Sequence, residues 1–396
     1  MQIQSKQNYR ISLLHLGFRP FFVLAGVAAV LLMAVWAGLY FGLIPMLGRP
    51  WSNALWHAHE MIFGYGLAVV AGFLLTAVRN WTGVPTLHGI PLLLLALSWL
   101  LARLMPIFPG PNALYVMVTL DILFNIGLCL AVLWPIVKVR QWQQMGIWAL
   151  LPTLLLANVL FYLGLTGVLE HGVRWGLYGG VYLIVTLILI MGRRVIPFFI
   201  EKGADPAQKP RNHPWTDIAG VSLMLAFICV EVFTPYRLAA GILALALAGI
   251  HAYILVGWHT PALWRKPLLW VLYVGYAWIV LGFLMRGLTV LTPLHPTLTV
   301  HALAVGGIGM ITLGMMSRVA LGHTGRDVSQ PPAILFWVFL FLAAGAVVRV
   351  LFTWALGPWY SEWIGLSQVL WLAAFTLFSG LYLPILIKPR IDGSYG

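Results

Sequence analysis

Residues 56–78 read WHAHEMIFGYGLAVVAGFLLTAV, and this stretch decides what kind of molecule the chain can be. No charged side chain falls between Glu60 and Arg79. At 1.5 Å per residue such a run crosses a hydrocarbon core of about 30 Å as a helix. Working outward in both directions, the same test finds further apolar runs near 21–43, 88–104, 112–136, 147–168, 175–197, 216–234, 238–258, 268–291, 299–321, 333–355 and 364–387. Turn-forming clusters divide them, among them Gly48-Arg49-Pro50, Pro109-Gly110-Pro111 and Gly357-Pro358. The expected fold is all-α, a polytopic membrane helix bundle of twelve transmembrane spans.

Composition agrees. The 396 residues are 61% hydrophobic and 8% charged, with a mean hydropathy of +0.94, whereas a soluble domain carries roughly 25% charged residues. The chain therefore reads as one membrane domain in a six-plus-six layout. Residues 1–20 form an N-terminal segment, 21–197 the first six helices, 198–215 a linker, 216–387 the second six helices, and 388–396 a tail. The first span follows Lys6, Arg10 and Arg19 and is too long for a signal-peptide core. The net charge of +13 is scattered through short loops rather than gathered into a patch, so nucleic acid is not an expected partner; membrane lipid is. Cys129 and Cys229 each lie in an apolar run, and C-x-x-C-H is absent. Any haem is expected to be bound noncovalently.

Charge sets the orientation. With the N-terminus inside, seventeen of the 23 basic residues fall on the inner side and six elsewhere, as the positive-inside rule requires. That places a multi-pass protein in the bacterial inner (cytoplasmic) membrane with both termini cytoplasmic. A faint internal echo appears at a shift of 242: His59 aligns with His301, Gly64 with Gly306, Gly72 with Gly314, and Thr82-Gly83 with Thr324-Gly325.

Histidines carry the chemistry. His57, His59, His171, His295 and His301 fall on the outer side by this topology. Imidazole is the commonest transition-metal ligand, and His57, His59 and His301 are candidates for a site that copper or haem iron accepts. Two residues apart on a helix, His57 and His59 point about 200° from each other. Either one belongs to the turn that opens the helix, or the two face different centres. Glu60 would orient an imidazole or carry a proton. The stripe of Gly64, Ala68 and Gly72 lets a helix or a flat macrocycle approach, and helix packing alone would also account for it. Asp121, Glu231, Arg286 and Arg349 lie within spans, where ionisable groups need partners; Asp121 and Arg286 are supporting candidates, and a structural pair of Asp121 with an arginine is the plainer reading. On the inner side, Arg19, Arg194 and Arg318 suit haem propionates, although topology explains most such residues.

These motifs resemble those of the NnrS family of haem- and copper-containing membrane proteins. The resemblance lies in Gly17-Phe18-Arg19-Pro20-Phe21-Phe22, Trp56-His57-Ala58-His59-Glu60-Met61, Gly72 to Val78, Trp81-Thr82-Gly83, Gly192 to Phe199, His301 to Gly306, and Leu321-Gly322-His323-Thr324-Gly325-Arg326. It implies twelve spans, bound haem b, copper, and a part in the response to nitric oxide and nitrosative stress. The family's recurring histidines fall on His57, His59, His301 and His323. A looser likeness to haem-copper oxidase subunits extends to span count and histidine number, but their helix motifs are absent.

The leading expectation is a protein that binds or processes nitric oxide or another diatomic ligand, with quinol as a candidate electron donor. A transporter of a metal, haem or small metabolite, using Asp121 and Arg286, is the main alternative. A sensor or assembly partner without turnover is the third.

Overall fold

A computed structural model of the chain describes residues 11–45, 51–108, 110–204, 209–355 and 357–396. Lys6, Arg10, the turn at Gly48-Arg49-Pro50, Pro109 and Asp205 lie outside the described residues. Among the described residues, twelve helices are long and apolar enough to cross a membrane: α1 (Phe18–Tyr40), α2 (Asn53–Thr82), α3 (Gly89–Ile107), α4 (Asn112–Lys138), α5 (Trp142–Leu165), α6 (Gly172–Gly203), α7 (Pro214–Phe233), α8 (Arg237–Trp258), α9 (Pro267–Leu288), α10 (Pro296–His323), α11 (Ile334–Ala355) and α12 (Gly357–Ile387). All twelve expected spans are present, and α6 runs through the first part of the expected linker. The face where α1 begins and α12 ends is called the near face below, and the opposite one the far face.

Local chemistry sets the ends. Ser52 caps α2 by accepting the Leu55 N–H. Pro214, Pro267 and Pro296 open α7, α9 and α10, where a missing N–H costs nothing. Gly83 and Gly325, at φ +69° and +78°, take the left-handed conformation just past the ends of α2 and α10, which glycine adopts without strain.

Neighbour contacts trace three arcs of four helices, α1–α4, α5–α8 and α9–α12, joined where α4 meets α5, α8 meets α9, and α12 returns to α1. The second helix of each arc lies inside: α2, α6 and α10 touch one another at the centre. The mid-chain linker between α6 and α7 thus falls within an arc, and α6 and α7 pack together across it. Apolar side chains such as Leu94, Ile218, Val256 and Trp337 point outward from the outer helices; lipid rather than water is the medium that covers such a surface at low cost.

Helices α2 and α10 share an irregularity. Each contains a π-helical segment, Glu60–Gly66 in α2 and Ala302–Gly309 in α10, and each segment starts directly after a histidine, His59 or His301. The 242-residue echo therefore has a structural counterpart in both helices. A third π segment, Val348–Phe352, lies in α11 and contains Arg349.

Candidate functional site

At the far face, α2 delivers its two histidines in different directions. His57 stacks on Trp36 of α1, with ring centroids 4.5 Å apart and planes 12° from parallel. It lines a cavity of 460 Å³ bounded by α1, α2, α6, α10, α11 and α12, within the range that holds small molecules and cofactors. His301 lines the same cavity from α10. Its Nδ1 lies 2.7 Å from the Thr297 carbonyl, which can only accept, so Nδ1 carries the proton. Nε2 is left unprotonated, the tautomer usual for a metal-binding imidazole, and accepts from Arg349. Arg349 Nη2 stands 3.2 Å from that Nε2.

The cavity contains polar groups that nothing in the protein satisfies. Arg349 and Gln368 are 8% and 4% exposed, yet Arg349 Nη1 and both amide atoms of Gln368 have no hydrogen-bond partner. Leaving such groups unmade costs about 1–3 kcal/mol each, more for a charged one. Most of the remaining wall is flat and apolar, with Trp36, Tyr178 and Trp371 among its residues. Such a space suits a planar, largely apolar molecule that brings a hydrogen-bonding or anionic edge to Arg349 and Gln368.

His59 belongs to a second, closed centre between α2, α3, α4 and α5. Its Nδ1 is 3.1 Å from Glu60 Oε1 and its Nε2 3.0 Å from Asn158 Oδ1, so both ring nitrogens are engaged. Arg103 reaches Glu60 Oε2 at 2.9 Å and both oxygens of Asp121 at 2.6 Å. Tyr162 donates to Asp121 Oδ2 at 2.5 Å. All of these side chains are buried. The network binds four helices together, and the His59 nitrogens face Glu60 and Asn158 oxygens rather than a cavity.

The expected trio of imidazoles is therefore not assembled. His57 and His301 meet at one cavity, while the two-residue spacing turns His59 to the other side of α2. Among the described residues, no group of three or more His, Cys, Asp or Glu side chains is placed to hold a metal ion. The supporting charges are also locked in pairs: Asp121 with Arg103, and Arg286 with Glu231, whose backbone oxygen accepts from Arg174 at 2.7 Å.

The remaining candidates lie toward the near face and apart from one another. Arg19 is fully buried, and its guanidinium donates to the main-chain oxygens of Leu386, Lys388 and Gly396 at 2.6–2.9 Å. Arg194 donates to Gln144 Oε1 at 2.9 Å. Arg318 lies 3.9 Å over the Phe199 ring. The His323 ring packs 5.6 Å from that of Phe18, and its carbonyl accepts from Arg390. Arg390 also pairs with Asp392 and, together with the Ser394 N–H, holds that carboxyl below its usual range. None of the four near-face candidates lines the His57–His301 cavity.

Sequence reasoning did not assign roles to Arg103, Asn158, Tyr162 or Gln368. The only signal for the last three was a polar group in an apolar run. Arg103 stood too close to a span end to be separated from the loop charges.

Over residues 12–390 of the 396, the chain matches the NnrS family, described as NnrS protein. No curated protein matches it.

Proposed function

The chain belongs to the NnrS family, and from that membership we propose that it is a haem protein of the bacterial inner membrane that binds nitric oxide or another diatomic ligand at the His57–His301 cavity. The observation that supports this reading is the unpartnered Nη1 of Arg349 and amide of Gln368 beside two imidazoles in one cavity. His301 would hold iron through Nε2, with Thr297 fixing the ring by accepting from Nδ1. His57, braced on Trp36, would face the iron or the ligand that approaches it. Arg349 and Gln368 would receive a propionate. Held there, haem b supplies an iron centre with affinity for diatomic gases; the aromatic wall excludes water from it. Copper, if bound, would meet two imidazoles together with the thioethers of Met33 and Met61 in the same cavity, soft donors that favour Cu(I). Quinol from the bilayer is the electron donor that the setting offers. The excess of basic residues toward the near face supports a cytoplasmic location for that face and for the termini.

Optical and EPR spectra with metal analysis of the purified protein test the reading. A Soret band in the wild type that is lost or shifted in His57→Ala and His301→Ala, and retained in His59→Ala, is expected. A wild type without a Soret band, or spectra unchanged in both cavity variants, would refute it.

A further inference from the structure

Below the large cavity, toward the near face, lies a second cavity of 60 Å³ enclosed by α1, α2, α6, α9 and α10. Its wall is apolar except for one hydroxyl, that of Thr312. This hydroxyl is already committed: it donates to the Ile308 carbonyl at 2.6 Å and lies 2.6 Å from the Tyr65 hydroxyl. Water could fit, since a cavity of about 10–15 Å³ holds one molecule, but a buried water needs two to four polar partners. This wall has at most one lone pair to give. A cavity of this kind stays dry and accepts small apolar molecules.

Its position gives the space a use. Tyr65 and Ile184 line the large cavity, while Ile184 and Thr312 line the small one. The partition between the two is therefore the Tyr65–Thr312 hydrogen bond and the Ile184 side chain. Ile184 has its place because residue 66 is glycine: a Cβ there would stand 2.9 Å from Ile184 Cδ1. On the other side, Phe73 and Val195 in the wall of the small cavity are only half-buried, so the cavity approaches the outer surface of the bundle there. We infer that the small cavity is a docking site for a small apolar gas, from which the gas passes Ile184 and Tyr65 into the His57–His301 cavity. The delivery step rests on the haem reading above; occupation of the cavity by gas does not.

Xenon is the probe, applied to the full chain in lipid nanodiscs and followed by ¹²⁹Xe NMR, with xenon-pressurised crystals to locate the site. The wild type should show one saturable site between Val69, Ile184 and Thr312. Val69→Phe, which fills the space, should weaken xenon binding at least about tenfold, a loss of roughly 1.4 kcal/mol; Ile311→Phe is the second filling variant should the first not fold. Leu94→Phe, on the outward surface, should leave binding unchanged. In the haem-loaded protein, xenon should alter carbon monoxide rebinding after photolysis in the wild type and not in Val69→Phe. No xenon site in the wild type, or ordered water or a lipid chain in the cavity, overturns the docking site. Rebinding indifferent to xenon overturns the delivery step. Xenon uptake by a protein that binds no haem supports the docking site while sinking the haem reading, and haem without a xenon site does the reverse.

Discussion

Arg103 and Arg349 show how differently two buried guanidinium groups can be used. Arg103 is neutralised by Glu60 and Asp121 and ties α3 to α2 and α4. Asp121→Ala should leave it with one carboxylate and a Tyr162 hydroxyl without its acceptor, and breaking a buried pair in this way costs about 3–5 kcal/mol. The triple variant Glu60→Gln/Asp121→Leu/Arg103→Met, which leaves no buried charge unpaired, should recover much of the loss; tryptophan fluorescence during thermal unfolding in detergent measures both, and equal midpoints for the single variant and the wild type would show that the network is not structural. Arg349 has no carboxylate partner among the described residues. Arg349→Met should weaken haem affinity by roughly 10- to 100-fold, the worth of a hydrogen bond to a charged group at about 1.5–3 kcal/mol, with a Soret band kept because His301 is still present to hold the iron. Haem titration of the apoprotein distinguishes this from His301→Ala, where the spectrum itself should change.

Within single helices, the decisive features are the π segments. A π bulge adds a residue to a turn and rotates everything before it relative to everything after it, and such bulges gather at functional sites. In α2 the bulge from Glu60 to Gly66 sets the direction of His57 relative to the tightly packed half that follows. Deleting Ile62 should return this stretch to α-helix and turn His57 by about 100°. The expected outcome is a membrane-inserted protein without the wild-type Soret band; an unchanged spectrum would show that the bulge does not aim the histidine. In α10, packing fixes the matching segment: a Cβ on Gly306 would lie 2.4 Å from the Trp278 ring, so Gly306→Val should force α9 and α10 apart and lower the thermal midpoint. Apolar run length and the proline and glycine signals made the helices legible in the sequence. The bulges were not, since no run length, proline or glycine signal marks them.

Across the whole molecule, the three arcs enclose α2 and α10, the helices that carry the candidate residues His57, His59 and His301. Helices enclosed on every side can carry polar groups, because other helices rather than lipid surround them. Alkaline phosphatase fused after Gly167, at the far face, should be active, and the same fusion after Gly83, at the near face, inactive. The opposite pattern would invert the assignment of faces and place the His57–His301 cavity toward the cytoplasm.

By itself the sequence determined the class of the molecule and its twelve spans, because hydrocarbon thickness and the cost of buried polar groups act on each span separately; His57, His59 and His301 it offered as candidates. The divergence of His57 and His59 was also present in it, as a matter of helical angle. Which of the two joins His301 was decided by the tertiary structure alone. That choice depends on Asn158 and Asp121 meeting one face of α2 while Trp36, Arg349 and Gln368 meet the other, and these residues lie up to 311 positions from His57 along the chain. No periodicity encodes such distances; only the packing of the arcs closes them.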